Sequence, residues 1–302
     1  MSFDAISSDM HANWYDKQYA DIDTRFDILD NWQKQKQENT INYWIHKRLF
    51  TLADVLAQPA TSWLTVGDGY GLDANYLKEK GCTATASDIS ATFLEATKER
   101  DLIDAFSIQN VEKITFEDNS FDYSFCKEAY HHFPRPMMGV YEMLRVSKKA
   151  AVLIEPQDPI SRLPFLMGMR NILDNWNTKF LQKIWKNRYS FETVGNYVYK
   201  ISEREMEKAA MGMNLPAVAF KGINNNYYSP EIINQKANNS SSLFRKIKLK
   251  LAFHNLLCKM TIMPYHVLCA IIFKEMPTPE TIENLKKDGF RFYEFPKNPY
   301  LR

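Results

Sequence analysis

The chain has 302 residues, 45% of them hydrophobic and 25% charged, with a formal net charge of +2. That length buries one large core with a small cap rather than two full domains, and the balanced charge argues against nucleic acid as a partner, which calls for a clustered basic face. The four cysteines, Cys82, Cys126, Cys258 and Cys269, make no CxxC pair and no zinc-ligand spacing, so they read as reduced, buried thiols of a cytoplasmic protein, with no metal expected.

The polar start, MSFDAISSDMHANWYDKQYAD, lacks the basic and apolar regions of a signal peptide. No apolar run approaches the roughly 18 residues of a membrane span. Residues 1–58 are aromatic, charged and helical in period, which predicts an N-terminal helical cap stopped at Gln58-Pro59. From Trp63 the pattern changes to WLTV, a strand, followed by a glycine turn and the helix LDANYLKEKG. Strand TATASDIS and helix ATFLEATKERD follow, then strands AFSIQ and FDYSFCKE, helix PMMGVYEMLRV and strand AAVLIEP. Strands alternating with helices of this length predict a parallel sheet built from βαβ units.

After Pro156 the rhythm breaks. Residues 157–200 are rich in Trp, Phe, Met and Arg and read as an inserted helical cap. Helix SEREMEKAAMGMN and strands AVAFKGI and HVLCAIIF then complete an α/β fold, a doubly wound, mostly parallel sheet of seven strands. The core is thus expected over 59–275, with a further insertion over 224–262. Residues 276–302 form a proline-punctuated tail expected to pack on the surface.

Gly67, Gly69 and Gly71 follow a strand and precede a helix, where missing side chains let the backbone approach a ligand. The helix start adds unpaired N–H groups and a positive dipole end. A nucleotide-like cofactor fits that corner. Gly69-Tyr70-Gly71-Leu72-Asp73-Ala74 also satisfies the dinucleotide fingerprint G-x-G-x-x-A. Asp88 stands about 20 residues beyond the first glycine, the spacing at which an acid bonds ribose hydroxyls. Both cofactor readings predict that acid; an N-cap role for it is the plainer alternative.

The run from Gln109 to Asp122, the segment Tyr123–Phe133 with Lys127, Glu128, His131 and His132, the stretch Tyr141–Val146 and the triplet Ile154-Glu155-Pro156 narrow the choice. Together with the glycine loop they resemble the class I S-adenosylmethionine-dependent methyltransferases, closest to the ubiquinone and menaquinone biosynthesis branch, methyltransferase type 11. The resemblance covers roughly Ser62–Pro156. It implies a Rossmann-like methyltransferase fold and S-adenosyl-L-methionine as cofactor, with S-adenosyl-L-homocysteine as product. By that resemblance the glycine loop holds the methionine end, Asp88 and Ile89 the ribose, and Asn110 and Val111 the adenine, with Lys127 beside the cofactor. Thr65 departs from the family, which usually carries an acid there to hold the cofactor's ammonium. Asp68, inside the loop, is the candidate replacement. Lys148-Lys149-Ala150-Ala151 replaces a common Pro-Gly-Gly turn, on the side away from the ligand.

Ligands in open α/β sheets sit beyond the carboxyl ends of the strands, where His131 and His132 fall. Histidine can take a hydroxyl proton near neutral pH, so both are candidate bases; capping the turn beside Pro134 and Pro136 is the structural alternative for His132. Trp14, Tyr15 and Tyr19 of the N-terminal segment, and Trp176, Trp185, Tyr189, Tyr197 and Tyr199 of the insertion, are expected to cover the cofactor mouth. The basic segment Phe244–Met260 suits either peripheral contact with an anionic membrane or a solvated helix packed on the sheet. The expected activity is methyl transfer to a small-molecule, glycan or lipid-linked acceptor, with a sugar hydroxyl the first choice by analogy. A nucleotide-dependent oxidoreductase and a catalytically silent binding module are the alternatives.

Overall fold

The computed structural model describes residues 3–159, 163–173, 179, 190–192, 196–225 and 227–300. Its centre is strand β1 (Ser62–Val66), in which Trp63 and Leu64 point to opposite faces and are both fully buried. A strand buried on both sides needs apolar residues at nearly every position, as a parallel sheet covered by helices requires. Strands β2 (Thr83–Asp88), β3 (Ala105–Ile108), β4 (Phe121–Lys127) and β5 (Ser147–Pro156) pair in parallel around it. Strands β6 (Ala217–Ile223) and β7 (Val267–Phe273) extend the sheet beyond β5, with β7 antiparallel to both neighbours.

Among the described residues the order is β3-β2-β1-β4-β5-β7-β6-β8, eight strands rather than the seven expected. The eighth, β8 (Arg291–Glu294), lies in the expected surface tail and pairs antiparallel with β6, setting Val218 opposite Tyr293. It covers an edge that would otherwise present unpaired backbone groups, and its Phe292 packs onto the core.

Alternation along the strands divides the core. Trp63, Phe125, Val152 and Ile271 lie on one face with Leu77 and Leu94. Leu64, Cys126, Leu153 and Ile272 lie on the other with Val140 and Leu144. The helices that supply these contacts are α4 (Leu72–Glu79), α5 (Thr92–Glu99) and α6 (Pro136–Val146). All four cysteines are buried free thiols.

Three helices precede the sheet: α1 (Phe3–Gln18), α2 (Ile22–Glu38) and α3 (Ile41–Phe50). Asp21 starts α2 by accepting the Thr24 N–H at 2.8 Å, and Asn39 stops it in the left-handed conformation at φ 48°. Capping of this kind satisfies backbone groups that a helix end leaves open. Leu29 of α2 packs on Phe93 and Ala96 of α5, which ties the N-terminal helices to the sheet layer.

Within the expected insertion over 157–200, the described part includes a short helix, α7 (Pro164–Leu173); Trp176, Trp185 and Tyr189 lie outside the described residues. Helix α8 (Glu203–Gly212) opens with a capping box between Ser202 and Glu205. The basic segment forms helix α9 (Ser242–Lys259), whose Phe244, Ile247 and Leu251 pack on Ile41 and Ile45 of α3 and on Ile232, rather than on the sheet. Helix α10 (Pro279–Lys287) leads into β8.

Candidate active site at the carboxyl ends of the strands

Four parallel strands deliver their last residues to one crevice. Gly67 follows β1, Asp88 ends β2, Asn110 follows β3 and Glu128 follows β4, and all four line it. Ser7, His11 and Tyr15 close it from above. Their four-residue spacing puts them on one face of α1.

Gly67 has φ +69°, and a Cβ there would stand 2.4 Å from the Ala129 side chain. Only glycine fits that position without a shift of the chain. A Cβ on Gly69 would sit 3.4 Å from Asp88 Oδ2 and 3.5 Å from the Tyr15 hydroxyl, so this glycine keeps the space before the acid open. Gly71 serves packing instead. It caps α4 at φ +69°, against the Thr97 side chain.

Asp88 is buried, and its Oδ1 accepts the Ser90 N–H at 2.9 Å while Oδ2 lies beside Gly69 and Tyr15. Burial, reinforced by the charge of Asp68, pushes its carboxyl up to about 6. Ile89, Asn110 and Val111 line the same crevice. Asn110 Oδ1 accepts the Glu112 N–H at 2.9 Å, which holds its side chain in the turn after β3.

Asp68 lies directly against Thr65. Its Oδ2 accepts from Thr65 Oγ1 at 2.9 Å and from the Ala74 N–H at 2.9 Å, and its Oδ1 from the Asp73 N–H at 3.2 Å. The carboxylate thus sits against the threonine and caps the start of α4, where a negative charge suits the helix dipole. It is buried, and that burial raises its pKa. Next to it, Lys127 Nζ lies 3.3 Å from Asp73 Oδ1 and 3.9 Å from Glu128 Oε2. Burial alone would lower the lysine, but Asp73, Glu128 and Asp68 outweigh it and hold the amine above its ordinary value. A buried charge paired in this way ties β4 to α4.

Glu128 adopts φ +53° at the end of β4. A non-glycine residue in that region is strained and concentrates at functional sites. The turn aims the next two N–H groups at Glu155: Oε1 accepts from Ala129 and Tyr130 at 2.7 and 2.8 Å, and Oε2 pairs with His131 Nδ1 at 2.7 Å. Burial would lower the His131 imidazole, but its bond to the Glu155 carboxylate raises it overall. His131 therefore anchors the loop and is not part of the crevice wall.

His132 is in that wall. Its Nδ1 meets Glu192 Oε2 at 2.6 Å, and its ring centroid lies 5.3 Å from that of His11. Burial first, then the neighbouring His131, lowers its pKa, which leaves a neutral imidazole near pH 7. With Nδ1–H directed at a carboxylate, Nε2 carries the lone pair. His131, His132 and Glu192 bring potential metal-ligand atoms within 4.8 Å of one another, but each imidazole is already bonded to a carboxylate through Nδ1.

A second cavity of about 400 Å³ adjoins the first, sharing Tyr15, Gly67 and Glu128 with it. Asn31, Trp32 and Gln35 of α2 and Asn42 and His46 of α3 form its far wall, with Asp68, Gly69 and Lys127 on the near side. Burial and the Lys127 charge lower His46, so it too is neutral.

Residues 64–154 match the family model of the methyltransferase domain. Residues 64–154 form a class I S-adenosylmethionine-dependent methyltransferase domain. The dinucleotide alternative left open by the Gly69–Ala74 pattern gives way to it. Among solved structures, the YcgJ protein of Bacillus subtilis is 16% identical, with a TM-score of 0.49, over 77% of this chain and 100% of its own. An S-adenosylmethionine-dependent methyltransferase of Methanosarcina mazei is 15% identical, TM-score 0.43, over 73% and 95%. Magnesium protoporphyrin IX methyltransferase from Synechocystis, solved with S-adenosylhomocysteine, is 14% identical, TM-score 0.37, over 62% and 83%. No curated protein sequence matches the chain. No helix among the described residues is long and apolar enough to cross a membrane.

The crevice fits the cofactor on its own geometry: Gly69 leaves room in front of Asp88, whose second oxygen faces that space, while Gly67 lets the loop pass close to Ala129. Several residues around it escape a reading of the sequence. His11 arrives from a helix more than fifty positions earlier, signalled only by its four-residue spacing from Ser7 and from Tyr15, itself expected at the cofactor mouth. Asn42 and His46 show the same four-residue interval on α3. Glu155 and Glu192 carry no local signal of the bonds they make to the two histidines.

Proposed function

We propose that this domain methylates a hydroxyl of a small-molecule or glycan acceptor held in the cavity between α2, α3 and the glycine loop. The observation that carries this reading is the lining of that cavity: two asparagines, a glutamine and a neutral histidine around a tryptophan, opening beside the glycine loop. Hydroxylated rings are gripped by amide hydrogen bonds and an aromatic face, and a cavity of about 400 Å³ is within the range of small-ligand sites.

In this reading Gly67 and Gly69 admit the cofactor, Asp88 and Ile89 meet its ribose, and Asn110 and Val111 its adenine. Asp68, Gly71 and Lys127 act at one remove, by fixing the loop and the start of α4 against β4. S-adenosylmethionine, when bound, supplies an electrophilic methyl group on a sulfonium. The acceptor must give up its hydroxyl proton, and His132, in the wall of the adjoining crevice, takes it at Nε2 from a hydroxyl that projects past the shared Tyr15, Gly67 and Glu128. Glu192 holds the ring and steadies the imidazolium that results, while His131, through Glu155, fixes the loop that carries His132. Alignment and exclusion of water contribute the rest of the rate.

A turnover screen with labelled S-adenosylmethionine tests this directly, over sugars, lipid-linked sugars, quinones and small phenols. Methyl incorporation into a hydroxylated acceptor, lost in both Asn42→Leu and Trp32→Ala with unchanged S-adenosylhomocysteine affinity, is expected. Turnover of a phenol or quinone that survives both changes would sink the acceptor assignment.

A further inference from the structure

Helix α9 has two apolar faces, and only one of them is covered. Phe244, Ile247, Leu251 and Cys258 are buried, with the first three against α3 and Ile232. On the opposite side Leu249 is 71% exposed, Phe253 59%, Leu256 54% and Met260 57%. Those positions follow one another at intervals of four, three and four, so they form a single stripe along the helix. Ile262 and Met263 continue it past the helix end and are exposed as well.

The charges are arranged around that stripe. At 3.6 residues per turn, Arg245, Lys248 and Lys259 flank it on one side and Lys246 and Lys250 on the other. All five are exposed, and the helix carries no Asp or Glu. Among the described residues none of the five makes an ion pair. Arg245 and Lys248 reach only Asn239 oxygens, and Lys248 and Lys250 lie over the Phe244 and Tyr227 rings. A chain whose formal net charge is +2 thus gathers a row of uncompensated cations around its exposed apolar stripe.

We propose that α9 is a membrane-docking helix that lies in the headgroup layer of an anionic lipid surface. The exposed Leu, Phe and Met side chains enter the acyl boundary and the flanking cations meet lipid phosphates, the arrangement that interfacial helices require. A nucleic acid would satisfy the cations but leave the apolar stripe in water. A second copy of this helix would cover the stripe but set cations against cations. The inference is independent of the acceptor and of the cofactor, because none of these residues lines the crevice.

Flotation of the full chain with vesicles tests it. Binding is expected to phosphatidylcholine vesicles containing phosphatidylglycerol at roughly a third of the lipid, with little to pure phosphatidylcholine, and it should weaken at high salt. Reversing two cations, Lys246→Glu with Lys248→Glu, should weaken binding at least about twentyfold. The pair Leu249→Ser with Phe253→Ser should weaken it by about tenfold or more. Both variants change exposed side chains, so melting temperature and S-adenosylhomocysteine affinity should match the wild type. Equal binding to neutral and anionic vesicles, no binding to either, or anionic binding unchanged in the Leu249/Phe253 variant would each overturn the proposal. So would a concentration-dependent dimer abolished by that same variant.

Discussion

Asp88 offers a test with two opposite signs in one side chain. Its carboxyl is held at about 6 by burial, against about 3.9 in an unfolded chain. Between those values the folded chain binds a proton that the unfolded chain has lost, so stability falls as pH rises through 6. At pH 7.5 the ionised carboxylate costs roughly 3 kcal/mol, from about two pKa units at 1.36 kcal/mol each. Asp88→Asn removes that charge while its amide oxygen still accepts the Ser90 N–H, so the variant should be stabler by about 2–3 kcal/mol, or on the order of 5 °C in Tm. Ribose hydroxyls need the ionised form as their acceptor. Wild-type affinity for S-adenosylhomocysteine should therefore be flat above pH 7 and fall about tenfold by pH 5. The variant should bind roughly tenfold to a hundredfold more weakly at pH 7.5, having lost bonds to a charged group, and with no such pH dependence. Calorimetric titrations at four pH values beside thermal melts read both effects. A wild-type affinity that does not change between pH 5 and 8, or a variant less stable than wild type at pH 7.5, would refute the reasoning.

Gly67→Ala should be poorly tolerated, since its Cβ would stand 2.4 Å from Ala129 at φ +69°; a loss of about 2–4 kcal/mol in denaturant unfolding, with weaker S-adenosylhomocysteine binding, is expected. His132→Gln should lower kcat by about a hundredfold or more with little change in cofactor affinity. Glu192→Gln should move the acidic limb of the kcat/KM profile to lower pH, because the carboxylate raises the His132 pKa; an unmoved limb would remove Glu192 from the proton path. Lys127→Met leaves Asp73 buried beside an apolar chain and should cost about 3–5 kcal/mol in unfolding free energy.

The strands of the parallel sheet could be read directly because each is a short run between glycine, helix or turn signals, and the central β1, β4 and β5 are largely apolar and buried. β8 could not. Arg291–Glu294 alternates only weakly, has just four residues, and follows a helix in a proline-rich stretch. Its place in the sheet depends on the free edge of β6, a tertiary fact. The first wall of the crevice is likewise local, since Gly67, Asp88 and Asn110 each stand at a strand end. The second wall is not. His11 and Tyr15 reach it, and Asn42 and His46 the adjoining cavity, only because α1–α3 fold over the sheet. The two histidines are adjacent in sequence and differ in role because Glu155 takes one and Glu192 the other. Asp68 is the subtlest case: its position in the loop suggests a ligand-facing acid, and it lines the second cavity while two of its three accepted bonds cap α4 and the third comes from Thr65.

Calorimetric titration of the full chain with S-adenosylhomocysteine, alongside a reduced nicotinamide dinucleotide, tests the central claim most directly. Saturable one-to-one binding of the homocysteine compound, weakened roughly tenfold to a hundredfold by Asp88→Ala and not mirrored by the dinucleotide, is the predicted result. Absence of that binding in a folded chain, or binding of the dinucleotide at the Asp88-dependent site, would contradict it.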